Sequence, residues 1–110
     1  MNWKVVYLPD AYKDYKKLDN STQKQVLKAI QKVSTNPLPI YDGGYGKPLG
    51  NKFNVNLTNM FKVKLRDAGI RIVYKIIKTE TQMLIVVIGA RADQEVYKIA
   101  KTRSFKYNLK

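Results

Sequence analysis

The stretch Met60 to Tyr74, MFKVKLRDAGIRIVY, decides how this chain folds, because it reads as two strands turned back on each other about Ala68-Gly69. Phe61, Val63 and Leu65 alternate with Lys62, Lys64 and Arg66, so the two-residue period of a strand sends three apolar side chains to one face and three cations to the other. Ile70, Ile72, Tyr74 and Ile76 continue the apolar face on the return strand, which puts Arg71 with Lys62 and Lys64. A register pairing Leu65 with Ile72 satisfies both faces, and a bulge at Gly69 would shift it by one. Cations at strand spacing repel one another unless an anion sits among them. Two readings follow: a solubilising outer face on a half-buried hairpin, or a site for an anionic ligand.

The rest of the chain supplies the same sign of charge. Lys and Arg number 21 against 8 Asp and Glu, a formal net charge of +13, and neither Gly43 to Arg66 nor Val96 to Lys110 contains an acidic residue. Such a field attracts polyanions, nucleic acid first, with an acidic protein partner or an anionic membrane behind it. The 110 residues make one domain, 1–110, and an apolar fraction of 45% is enough for it to fold. The absence of cysteine removes disulfides, thiol nucleophiles and cysteine metal sites. No segment approaches the run of about 18 apolar residues that reads as a membrane span. The opening MNWKVVYLP is too short an apolar run for a signal peptide, so a cytoplasmic location is expected.

Outward from the hairpin, Trp3 to Leu8 reads as a first strand. Pro9-Asp10 opens a short amphipathic helix, with Ala11, Tyr12, Tyr15 and Leu18 on its core face. Asn20 or Ser21 can cap a second helix, with Gln23 completing a capping box after Asn20, and Val26, Leu27, Ile30 and Val33 form its buried stripe. Pro37 and Pro39 end it. Ile40 to Thr58 is expected to be a long basic loop, with a brief strand near Phe53 to Leu57. Its Gly43-Gly44-Tyr45-Gly46-Lys47 run lacks the spacing of a phosphate loop. Beyond the hairpin, Met83 to Ile88 is continuously apolar, as in an inner strand. Asp93 can cap a last helix that returns Val96, Ile99 and Ala100 to the core, while Tyr97 falls off that stripe, with its hydroxyl at the helix edge near Arg91. Ser104 to Lys110 is a basic tail.

The inventory narrows the chemistry. With no histidine, Ser-His-Asp triads, paired-histidine nucleases and histidine metal sites are excluded. The eight carboxylates are scattered, and Asp93 with Glu95 is the one near pair, which helix capping explains without metal. Cationic chemistry on an anion remains. RNA carries its own nucleophile, since its 2′-hydroxyl can attack the adjacent phosphorus if that hydroxyl is positioned and the phosphorane charge is stabilised. Crowded lysines and arginines can do both, because like charges depress a lysine's pKa and allow it to accept a proton near neutral pH.

The segments LTNMFKVKLRDAGIRIVYKI, 57–76, and VIGARADQEVYKIAKTR, 87–103, resemble the second half of the RelE toxins of bacterial toxin-antitoxin pairs, within the RelE/ParE superfamily. The resemblance covers residues 3–36 by pattern and 57–103 by motif. It implies an α+β fold, a small mainly antiparallel sheet of about four strands packed against an N-terminal helical hairpin, with a C-terminal helix. It also implies a ribosome-dependent mRNA endonuclease that cuts the message in the A site without metal or cofactor, held inactive by a cognate antitoxin, with a free toxin that can be monomeric and no membrane partner. The residues that match the family's catalytic set are Lys62, Lys64, Arg71, Arg91 and Tyr97. Arg71 would clamp phosphate, the two lysines would share the base and charge-stabilising roles, Arg91 would serve the leaving group or the phosphorane, and Tyr97 would orient or stack on the nucleotide. Arg66, Lys47 and Lys52 are expected to bind substrate. The 40–58 loop and the tail 104–110 are longer than in the family's usual pattern.

Two other functions share these features. A ParE-like toxin would poison DNA gyrase by protein contact, but that branch generally lacks the K-x-K pair and the helix tyrosine present here. A non-catalytic RNA- or ribosome-binding module would keep the charge without the chemistry. Each site residue also has a plain structural role available to it. Lys62 and Lys64 can solubilise a strand, Arg71 can pair with Asp67, Arg91 can pair with Asp93, and Tyr97 can pack on the sheet.

Overall fold

In the computed structural model, which describes residues 3–50, 57–90 and 92–109, the central stretch forms the expected hairpin between β3 (Leu57–Leu65) and β4 (Ile70–Ile77). The register differs from the expected one: Leu65 pairs with Ile70, Lys64 with Arg71, and Val63 with Ile72. This slides the partner by two residues, which preserves both faces. The turn Arg66 to Gly69 allows it, because Gly69 takes a φ of 66° and lets pairing continue to the ends of both strands.

Among the described residues, β1 (Lys4–Tyr7), β2 (Lys47–Gly50) and β5 (Gln82–Gly89) complete a five-stranded sheet in the order β1-β5-β4-β3-β2. Among these strand pairs the β1–β5 pair is parallel and the others are antiparallel. The architecture is the expected α+β class, with one strand more than expected. β2 lies inside the stretch read as loop, where Pro48 and Gly50 within it and Gly46 just before it hide the strand pattern. It survives because it is an edge strand, where a missing proline N–H costs little, and because Leu49 plugs the core. Its register slips between Pro48 and Gly50, opposite Asn59, whose φ is 68°. The nearby glycines serve packing: a Cβ on Gly44 would strike the Leu38 carbonyl, and one on Gly46 would strike the Tyr74 hydroxyl. That hydroxyl donates to the Pro37 carbonyl at 2.7 Å, and burial pushes its pKa well up, so it stays a donor. The expected strand near Phe53 falls mostly outside the described residues.

The core runs along β4 and β5, where Ile72, Val73, Tyr74, Met83, Ile85 and Val86 are fully buried. Each such side chain contributes about 1.5–3 kcal/mol relative to exposure. α2 (Asn20–Ser34) lies against β3, where its Gln25, Ala29 and Lys32 border a groove with Leu65. Val26, Ile30 and Val33 are buried as expected, but Leu27 is exposed. The cap also differs: Asp19, not Asn20 or Ser21, accepts the Thr22 amide at 2.7 Å, while Gln23 donates to the Tyr15 carbonyl. In α1 (Pro9–Lys16), Tyr12 stacks on Tyr15 at the surface and does not enter the core.

α3 (Asp93–Lys106) absorbs the start of the expected tail and crosses β5, β4 and β3. Its far half is clasped to α1. Arg103 Nη1 donates to Asp14 Oδ2 at 2.7 Å and to the Val86 carbonyl at 2.9 Å, and Asp14 in turn accepts the Ile88 amide at 3.1 Å. β1 stops opposite Ile85, so this pair occupies backbone groups of β5 that lie beyond its reach.

Candidate active site

The cationic face of the hairpin is covered by α3, and that cover builds the site. Asp93 and Tyr97 stand four residues apart, hence on one side of the helix, and both face Lys62. Lys62 Nζ is 5.6 Å from the centroid of the Tyr97 ring and 3.9 Å from Asp93 Oδ2. Lys64 Nζ lies 3.3 Å from the same oxygen, and Arg71 Nε hydrogen-bonds Asp93 Oδ1. Three of the expected catalytic cations therefore meet at a single carboxylate.

This differs from the sequence reading in three ways. First, Asp93 does not cap α3: Ala92 holds the cap position, and the carboxylate is drawn away to the cations. Arg71 correspondingly pairs with Asp93 and not with Asp67. Second, Lys62 is 7% exposed, so the face is not an open wet surface at that point. A buried ammonium needs compensation, and the ring and carboxylate provide it. Third, Tyr97 is fully buried, with no face open for a nucleotide base, and its ring lies against the Lys62 ammonium.

The outlying residues divide. Arg66 lies in the turn and, with Lys64 and Arg71, lines a cleft of about 240 Å³ at the hairpin tip. Lys47 is exposed and sits directly across from Lys62 on β2, so the two share a face. Arg91 and Lys52 lie outside the described residues. Lys75 carries no motif signal but extends the row: it is four residues from Arg71 on β4, is buried, and has its pKa lowered by desolvation. The sequence offers Asp93 as a helix cap or as a partner for Arg91; its four-residue spacing from Tyr97 is the signal that places it with the hairpin cations. Among the described residues, no three His, Cys, Asp or Glu side chains gather as metal ligands, and no helix is long and apolar enough to cross a membrane.

Partial burial opposes ionisation of Asp93, but hydrogen bonds from Arg71 and Lys64 and the charge of Lys62 hold its carboxyl below the ordinary value of 3.8. A lowered folded-state pKa contributes stability that is complete above 3.8 and is lost as pH falls through the folded value. Between about pH 6 and pH 3, urea unfolding should therefore show a larger loss of stability in the wild type than in Asp93→Asn. Equal losses would mean that the carboxylate does not titrate against these cations.

The chain is 33% identical over 104 residues to a RelE-like toxin protein of Escherichia coli, a match covering 94% of this chain and 98% of that protein. This chain belongs to the RelE toxin family. The mRNA interferase RelE of Shigella flexneri is 28% identical over 93 residues, covering 84% of this chain and 87% of the relative. RelE structures share the fold: a free-state mutant of the E. coli toxin has a TM-score of 0.73 at 24% identity, covering 94% of this chain and 98% of that one. A Mycobacterium tuberculosis toxin-antitoxin complex has a TM-score of 0.66 at 24% identity, covering 84% and 95%. No family model matches the chain. Within the RelE fold, the K-x-K strand, the arginine opposite it and the helix tyrosine come together around Asp93.

Proposed function

We propose that this RelE-family protein is an endoribonuclease of the mRNA interferase type, acting on message in the ribosomal A site and restrained by a cognate antitoxin. The observation that carries the reading is the convergence of Lys62, Lys64 and Arg71 on one point, where a phosphodiester would find three positive groups. Relatives named as mRNA interferases and a RelBE toxin-antitoxin complex of the same fold support it.

In the reaction, the 2′-hydroxyl attacks the adjacent phosphorus and gives its proton to one of the two lysines, which serves as acceptor in its neutral amine form, becoming an ammonium. Arg71 and the remaining lysine stabilise the negative charge on the phosphorane. The bond from phosphorus to the 5′-oxygen breaks, and the departing oxygen takes up the proton returned by that lysine through water, leaving a 2′,3′-cyclic phosphate and a 5′-hydroxyl, with the Arg91 charge assisting its departure. Tyr97 fixes the Lys62 ammonium from below. Arg66, Lys47 and Lys52 hold flanking phosphates, and the +13 charge draws both the RNA and an acidic antitoxin segment. No resident metal takes part.

Primer extension on translated message tests the reaction class. The protein should cut within ribosome-bound codons, leave 5′-hydroxyl ends, and spare a message carrying a 2′-deoxynucleotide at the cut position. Cutting of the deoxy-substituted message would remove the 2′-hydroxyl mechanism. Ribosome binding without any cutting would reduce the site to a binding surface.

A further inference from the structure

We infer that Asp93 is a resident counter-anion, occupying the place of one RNA phosphate, which an incoming phosphodiester must displace from Lys62, Lys64 and Arg71. The inference takes the identity of the anion from the proposed function but does not depend on cleavage.

Its basis is the shape of the contact. A carboxylate and a phosphodiester each present one negative charge on two oxygens. Here one oxygen faces the Arg71 guanidinium and the other faces both ammoniums, at 3.3 and 3.9 Å. An ordinary surface ion pair joins one cation to one anion, whereas this carboxylate serves three cations at once. Asp93 is the first residue of α3, its side chain is 26% exposed, and the residue before it is extended, so the carboxylate stands at the mouth of the site. While it is engaged there, it holds the cations together and competes for them. If it is engaged about nine-tenths of the time, apparent affinity for a phosphate is roughly tenfold below the intrinsic value.

The test compares the full-length wild type with Asp93→Asn and, as a charge-matched control, Asp19→Asn. The control removes one negative charge at the α2 cap, where asparagine also caps well. The probe is a short 2′-O-methyl RNA, which cannot be cleaved by 2′-hydroxyl attack, and its binding is measured by fluorescence anisotropy at fixed ionic strength. Asp93→Asn should bind about tenfold tighter than wild type, and Asp19→Asn within about twofold of it. Equal tightening in both variants would reduce the effect to bulk charge, and unchanged or weaker binding by Asp93→Asn would make Asp93 a structural ion. Either result overturns the inference. Should Asp93→Asn fail to fold, the wild type decides the matter by carbon NMR: the Asp93 carboxyl resonance should move on saturation with the same RNA, and a stationary resonance overturns the inference. A wild type that never cuts translated message would sink the nuclease reading and leave this comparison intact. An unaltered affinity would do the reverse.

Discussion

Lys62→Met should cost cleavage heavily and stability hardly at all. Methionine nearly matches the length of the lysine stem and is at home between a tyrosine ring and a sheet, so the seat over Tyr97 stays filled. Asp93 keeps Lys64 and Arg71 as partners, so no uncompensated charge is left behind. Replacing a buried ion by an apolar side chain of similar volume is commonly neutral or stabilising. In the proposed reaction, however, the phosphate would lose either its proton acceptor or one of its charge stabilisers, each worth about 100-fold or more in rate. Single-turnover cleavage on programmed ribosomes should fall by about two to four orders of magnitude, with the urea midpoint unchanged or raised. A variant that cuts within tenfold of wild type would exclude Lys62 from the chemistry. One that unfolds would make its ammonium a structural group.

Arg103→Ala should produce the largest loss of stability from a single polar substitution. Its guanidinium holds Asp14, the Val86 carbonyl and, at longer range, Asp10, and it is mostly buried. Truncation leaves Asp14 without its bidentate partner and exposes the join between α1, β5 and α3. Breaking fully buried pairs costs about 3–5 kcal/mol, and the partial exposure of both partners reduces this to about 2–4 kcal/mol. For a domain of this size that is a fall in Tm of roughly 10–20 °C. Asp14→Asn combined with Arg103→Ala should cost little more than Arg103→Ala alone, giving a coupling of about 1–3 kcal/mol in a double-mutant cycle. Strict additivity would mean that the two groups do not act as a pair.

The hairpin was legible because its alternation is strong and a slide of two residues leaves every side chain on its own face. The helices were legible through Val26, Ile30 and Val33 on one and Val96 and Ala100 on the other. β2 was hidden because an edge strand tolerates the proline and glycines that elsewhere mark a loop. The cap of α2 was displaced by one residue because asparagine and aspartate cap almost equally well. The part of the site that lies on the sheet was readable from a two-residue period. The part supplied by α3 was not, because whether Asp93 caps its own helix or reaches the cations depends on where that helix lands. The burial of Tyr97 has the same origin, and Arg103 with Asp14, 89 residues apart, has no local signature at all.

The ammonium of Lys62, pinned between an aromatic face and a carboxylate, has a thermodynamic consequence of its own. An exposed lysine surrenders close to 2 kcal/mol of rotamer entropy whenever it must hold one pose. Here that surrender accompanies folding of the polypeptide, so in the proposed reaction none of it would be left to be met when the phosphodiester arrives.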